Sequence, residues 1–197
     1  KGSENLKEDK GAYADSTLFD VFTLPMIEGD PKTALTEPHS LVITESTAKK
    51  YFNTTDVLGK TLTINDTNTY KITGVIKDIP KQSHFNFDFF FPMIETAQSR
   101  DGSWFNYNFH TYLLVKPGTD IRQLEGQLNK TLIAGAAPQF AGTLNISKDE
   151  FEKAGNSLHI TLRPLTDIHL HSNIADELGT NGSIQYVYIF LAIAIFI

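Results

Sequence analysis

From Ile184 to Ile197 the chain reads Ile-Gln-Tyr-Val-Tyr-Ile-Phe-Leu-Ala-Ile-Ala-Ile-Phe-Ile, and after Gln185 it carries no charge, amide, glycine or proline. No other stretch restricts the fold as much, because an apolar helix with no polar face is a buried or membrane element, not a surface one. A bilayer-spanning helix takes about 20 apolar residues, and tyrosines such as Tyr186 and Tyr188 sit at headgroup level. The run is read as the first half of a transmembrane helix, cut short. A run of about 10–14 apolar residues is also the length of a core element, so a buried C-terminal strand or helix stays open as the alternative. Its place at the end of the chain excludes a signal peptide. Lys1 stands where a Met would open a gene product, so the front is read as a cut as well.

The remainder has the means to fold. With 197 residues, 41% hydrophobic and 11% aromatic, it can bury a core as one domain or two small ones, which excludes a disordered chain. The net charge is −6 and the Lys and Arg residues are scattered, so no basic stripe tracks a phosphate backbone and nucleic acid is excluded as a partner. The absence of cysteine removes disulfides, thiol catalysis and cysteine zinc sites.

Taken in order, residues 1–12 read as a frayed lead-in and Asp15 to Phe22 as a capped helical turn with Leu18, Phe19 and Phe22 on one side. Gly29-Asp30-Pro31 marks a turn, and the polar stretch to His39 is a first boundary. Ser40 to Thr44 is a strand that runs into a helix over 45–52, capped by Thr44 or Ser46. Lys60 to Ile64 and Thr69 to Lys77 alternate around Asn65-Asp-Thr-Asn68, which predicts an antiparallel hairpin. Pro80 to Ser83 is a second boundary. Beyond it, Phe85, Phe87, Phe89 and Phe91 recur at period two, the pattern of a strand with an aromatic face. A short helix over 94–98 and a loop holding Trp104 follow. A strand is expected over 109–116, a helix from Ile121 through Leu132, little structure over 135–156, and a second strand over 158–164.

Motifs for chemistry are incomplete. His169 and His171 would offer two imidazoles to one ion if they lay on a strand, with Asp167, Asp176 and Glu177 nearby, but no third ligand is fixed. His84, His110 and His159 read as hydrogen-bonded structural residues. Gly59-Lys60-Thr61 resembles the end of a phosphate loop, yet Thr54 stands where that loop needs its first glycine. Asp78, Asp88 and Glu95 are single carboxylates without a partner that sequence can name. The chain is therefore expected to have no catalytic, metal or cofactor-binding residues and no cofactor, and not to be an enzyme.

Several of these stretches coincide with one family. Asp15 to Phe22, Glu28 to Asp30, Ile43 to Phe52, Leu58 to Leu62, Tyr70 to Pro80, Ser83 to Phe85 and Leu165 to Ser172 resemble the MacB-type periplasmic core domain of FtsX-like ABC transporter permeases, most specifically over Thr44 to Pro80. Gln98 to Asn108 and Gly135 to Asn156 match none of its motifs. The resemblance implies an α+β, two-lobed extracytoplasmic domain. Residues 1–39 and 80–183 would form a porter-like α/β subdomain next to the membrane, lacking its N-terminal part. Residues 40–79 would be an inserted distal strand, helix and hairpin subdomain, and 184–197 the start of the second transmembrane helix.

The same resemblance implies a non-catalytic coupler at the inner membrane with this domain on the periplasmic side. Its partners would be the membrane, a second permease copy, a cytoplasmic ABC ATPase and periplasmic or lipoprotein partners. The alternative function is a sensor or ligand-binding domain of a membrane-anchored signalling protein.

Overall fold

The structure, a computed structural model, describes residues 6–143, 145–171, 177–179 and 181–196; of the positions singled out above, residues 1–5, Ser172, Asp176 and Ile197 lie outside the described residues. The fold is α+β. The chain forms two compact units, residues 1–100 with 176–180 and residues 101–175 with 181–197.

The first unit is built on one mixed sheet. Its strands are β1 (Gly11–Ala14), β2 (Met26–Gly29), β3 (Ser40–Thr44), β4 (Thr61–Ile64), β5 (Asn68–Ile76) and β6 (Phe89–Pro92), in the order β1-β6-β3-β5-β2 with β4 beside β5. β3 explains the arrangement. Leu41, Val42 and Ile43 are completely buried and Ser40 and Thr44 nearly so, and a strand buried on both faces sits inside a sheet. It pairs in parallel with β5 and antiparallel with β6.

Three expectations change here. The boundaries placed at 39/40 and 79/80 fall inside a single sheet, since β3 and β5 are hydrogen-bonded to β6 and β2 from outside the 40–79 stretch. The last residues of the lead-in are the edge strand β1, paired in parallel with β6, and the stretch before the Gly29 turn is the edge strand β2. The phenylalanine run is a strand only from Phe89, and it does not present one aromatic face. Phe89 and Phe91 pack on one side of the sheet, and Phe87 and Phe90 on the other. The reason is again two-sided burial, which gives both strand faces a core to enter.

Each face has its own cover. On one side, helix α2 (Glu45–Phe52) lays Ala48, Tyr51 and Phe52 over Leu41, Ile43, Ile72 and Phe89. On the other, helix α1 (Leu18–Val21) and the turns of residues 30–36 bring Leu18, Phe19, Ala34 and Leu35 onto Val42, Ile76 and Phe90. Each Leu, Ile, Val or Phe side chain among them contributes about 1.5–3 kcal/mol when fully buried. The β4–β5 hairpin forms as the alternation predicts, with Asn65 and Asp66 at φ 54° and 61°, a left-handed pair that those residue types tolerate.

The second unit contains α3 (Ile121–Thr143), α4 (Lys148–Lys153), α5 (Leu165–His171) and α6 (Ile184–Phe196). The α3 stripe continues past Leu132 through Ala136 and Phe140, all buried, so the helix runs on through Pro138 into the region expected to have little structure. α4 starts at a capping box in which Ser147 and Glu150 satisfy each other's backbone N–H groups. The strands expected at 109–116 and 158–164 do not form: neither stretch is in a ladder among the described residues. For 158–164 the reason is visible: polar side chains of α3 take the place of a neighbouring strand. Asn129 accepts from the Ile160 N–H at 2.7 Å and donates to its carbonyl at 2.8 Å, and Glu125 accepts from the Leu162 N–H at 2.6 Å.

α6 has no buried residue, and its side chains from Tyr186 to Phe196 include none that is polar apart from the two tyrosine hydroxyls. The alternative of a buried C-terminal core element is therefore not what the fold shows. Among the described residues no helix is long and apolar enough to cross a membrane. The 13 residues of α6 amount to about 20 Å of helix, against a hydrocarbon core of about 30 Å.

Candidate functional site

The carboxylates that looked solitary in the sequence all acquire partners, because the sheet brings distant segments together. Glu95 closes a 3₁₀ turn, Met93–Glu95, directly after β6, and its side chain is 13% exposed. It accepts a 2.8 Å hydrogen bond from the Tyr70 hydroxyl on β5 and another from the His39 backbone N–H. Burial, then the bond to and charge of Glu95, then the neighbouring Tyr13, push the Tyr70 phenol above its ordinary range. His39 itself holds a left-handed φ of 58° at the entry to β3. Asp78 accepts from the Ser46 N–H at 2.9 Å, so it supplies the capping bond at the start of α2 that the expected caps, Thr44 or Ser46, do not make. Asp88 pairs with Lys10 at 3.9 Å.

A second cluster was not singled out in the sequence at all. Tyr51 on α2 donates a 2.6 Å hydrogen bond to Glu8, which also receives Lys50. The signal that could have found it is the tyrosine on the buried stripe of α2, whose hydroxyl needs a partner once its ring is packed. Burial by itself raises the Glu8 carboxyl, but bonds from Lys50 and Tyr51 with the charges of Lys50 and Lys10 outweigh it and hold the group below its ordinary range. Burial, with the bond to and charge of Glu8, pushes the Tyr51 phenol up. Beside this cluster lies a cleft of about 400 Å³, floored by Leu62, Ile64, Phe89 and Phe91 and rimmed by Glu8, Tyr51, Thr63, Asn65 and Asp66.

The histidines are dispersed. His169 and His171 lie on the helix α5, not on a strand. Two residues apart on a helix are turned about 200° from one another, so the strand argument for two imidazoles on one side does not apply. His169 sits against Gly182, whose N–H donates to its carbonyl at 2.8 Å. His110 and His159 are exposed, and His84 packs against the ring of Phe85. Among the described residues no group of three or more His, Asp or Glu could hold a metal ion. Gly59-Lys60-Thr61 has a structural role: the Gly59 N–H bonds Ile72 and the Lys60 ammonium bonds the Asp56 carbonyl at 2.9 Å. What the first unit offers is thus a braced sheet with a cleft of mixed polar and apolar lining, and with Glu8, Asp78, Asp88 and Glu95 tying segments together.

Residues 2–131, a stretch that ends inside α3 and contains the whole sheet, match the MacB-like periplasmic core domain family. The chain belongs to that family. A solved domain of a protein assigned as a permease from Porphyromonas gingivalis is similar to this MacB-like domain at 27% identity and TM-score 0.52, with 64% of this chain and 59% of that one covered. The solved periplasmic region of MacB from Actinobacillus actinomycetemcomitans has 16% identity and TM-score 0.42, with 73% of this chain and 64% of that one covered. The domain thus spans 59% and 64% of the length of these two structures. No curated protein matches it.

Proposed function

We propose that this MacB-like domain is the non-catalytic, extracytoplasmic domain of an ABC transporter permease at the inner membrane, and that it couples cytoplasmic ATP hydrolysis to movement or export of a substrate outside the bilayer. The carrying observation is the family match over residues 2–131. α6 supports it, since a helix that is apolar all round and wholly exposed has lipid as its natural surroundings. The unit that carries α6 is the one placed next to the lipid. The partners in this reading are a second permease copy, a cytoplasmic ATPase, and a periplasmic protein or lipoprotein that receives the movement. The braced carboxylates suit a part that must move as a body.

No native cysteine within residues 1–197 competes with a label introduced there. A single Thr63→Cys on the exposed hairpin, spin-labelled in the intact permease with its ATPase in lipid, should show a copy-to-copy distance that changes by several ångströms between nucleotide-free and ATP-trapped states. The same distance distribution in both states would contradict coupling.

A further inference from the structure

We propose that residues 6–10 form a strap latched onto α2 through Glu8, and that releasing the latch uncovers the cleft of the first unit, whose lining includes Leu62, Ile64, Phe89 and Phe91. The strap has no regular structure before β1 begins at Gly11, and Leu6 on it is half exposed. Its two ends are held very differently. The Lys10 end is part of the sheet: its carbonyl accepts from the Asp88 and Phe89 N–H groups at 2.8 and 3.2 Å, and its ammonium reaches Asn86 at 3.3 Å. Among the described residues, the Glu8 end is held through its carboxylate, bonded by Tyr51 and Lys50 of a single helix turn.

The strap also lines the cleft, through Leu6 and Glu8, together with Leu62, Ile64 and Phe91. Those last three residues are only half buried with the strap in place, so lifting it exposes them further. Two states follow: a closed one in which the carboxylate is satisfied and the floor covered, and an open one in which neither holds. The groups facing Glu8 are Lys50 and Tyr51 from α2 and Lys10 from the strap, with Asp66 across the cleft.

Limited trypsin digestion of the full chain reads the opening, because Lys7 lies within the strap, while Lys10 at the start of the sheet and Lys71 and Lys77 around β5 report on the sheet itself. Lys50→Met combined with Tyr51→Phe removes both donors without altering the sequence around the cleavage point. The double variant should be cut after Lys7 at least about tenfold faster than the parent, in proportion to the open population, with Lys10, Lys71 and Lys77 unaffected. It should also bind more of a hydrophobic dye. Tyr51→Phe alone, the milder change, should fall between the two. An unchanged rate after Lys7 would overturn the latch, and equal acceleration at Lys10, Lys71 and Lys77 would show that Glu8 merely supports the whole sheet. Because the readout is cleavage and not transport, the strap stands or falls separately from the permease reading.

Discussion

Trp104 packs against Gly135 of α3: a Cβ on that glycine would come within 2.3 Å of the indole ring. The loop has no freedom to retreat, since Gln139 one turn further on accepts from the Trp104 N–H and donates to the Gly102 carbonyl, both at 2.9 Å. Gly135→Ala should therefore lower the stability of the second unit by about 1–3 kcal/mol, the cost of overpacking. Trp104 is the single tryptophan of the chain, so its emission should shift to the red as the ring is displaced. An unshifted spectrum with unchanged denaturant midpoint would mean that the contact is not held in solution.

Glu95 is the brace between β5, the end of β6 and the entry to β3. Replacing it with alanine leaves the Tyr70 hydroxyl and the His39 N–H without their acceptor, and should cost about 1–3 kcal/mol in thermal or chemical denaturation. Tyr70→Phe removes a single bond and should cost about 1 kcal/mol. The order of the two variants is the check; a Tyr70→Phe loss exceeding that of Glu95→Ala would place the energy elsewhere.

The two networks give the fold a defined response to pH. The Tyr51 and Tyr70 phenols are raised in the folded state, so their contribution is complete below about pH 10, the unfolded value, and is lost as pH rises through the higher folded values. Glu8 is lowered, so its contribution is present above the unfolded carboxylate value of 4.5 and is lost as pH falls through its folded value. Ultraviolet titration of phenolate should show two tyrosines ionising late, and Tyr51→Phe with Tyr70→Phe should remove that late portion. Seven phenols titrating together near pH 10 would contradict both networks.

The local pattern carried the parts of the fold that depend on near neighbours. The β4–β5 hairpin, the buried β3 and the helix over 45–52 follow from alternation, β-branching and an apolar stripe within a few residues of one another. The edge strands did not, because Gly11–Ala14 has no alternation of its own and becomes a strand by pairing with Phe89–Pro92 far along the chain. The converse error came from 109–116 and 158–164, whose residues favour a strand but which have no ladder; propensity supplies a conformation and not a partner. The Ser147–Glu150 capping box was readable from spacing alone and marks a helix in the region expected to have little structure. The braces were illegible for a related reason. Glu95 meets Tyr70 and His39 across 25 and 56 residues, and Asp78 meets Ser46 across 32, separations on which sequence spacing is silent. The most specific family motifs, by contrast, are contiguous in sequence, in the run from Thr44 to Pro80 that holds α2 and the β4–β5 hairpin.

The central claim is that this domain belongs beside a bilayer, and α6 is where it is most exposed to test. Leaving Ile189, Phe190, Leu191, Ile193, Ile195 and Phe196 in water is costly, since burying each would contribute about 1.5–3 kcal/mol. Co-flotation of the chain with phospholipid vesicles, with and without residues 186–197, measures this directly, together with the melting temperature of each form. The account predicts that the intact chain floats with the vesicles, that the shortened one stays in the aqueous fraction, and that the two melt within a few degrees of each other. An intact chain that ignores the vesicles, or a shortened one whose melting temperature collapses, would contradict it.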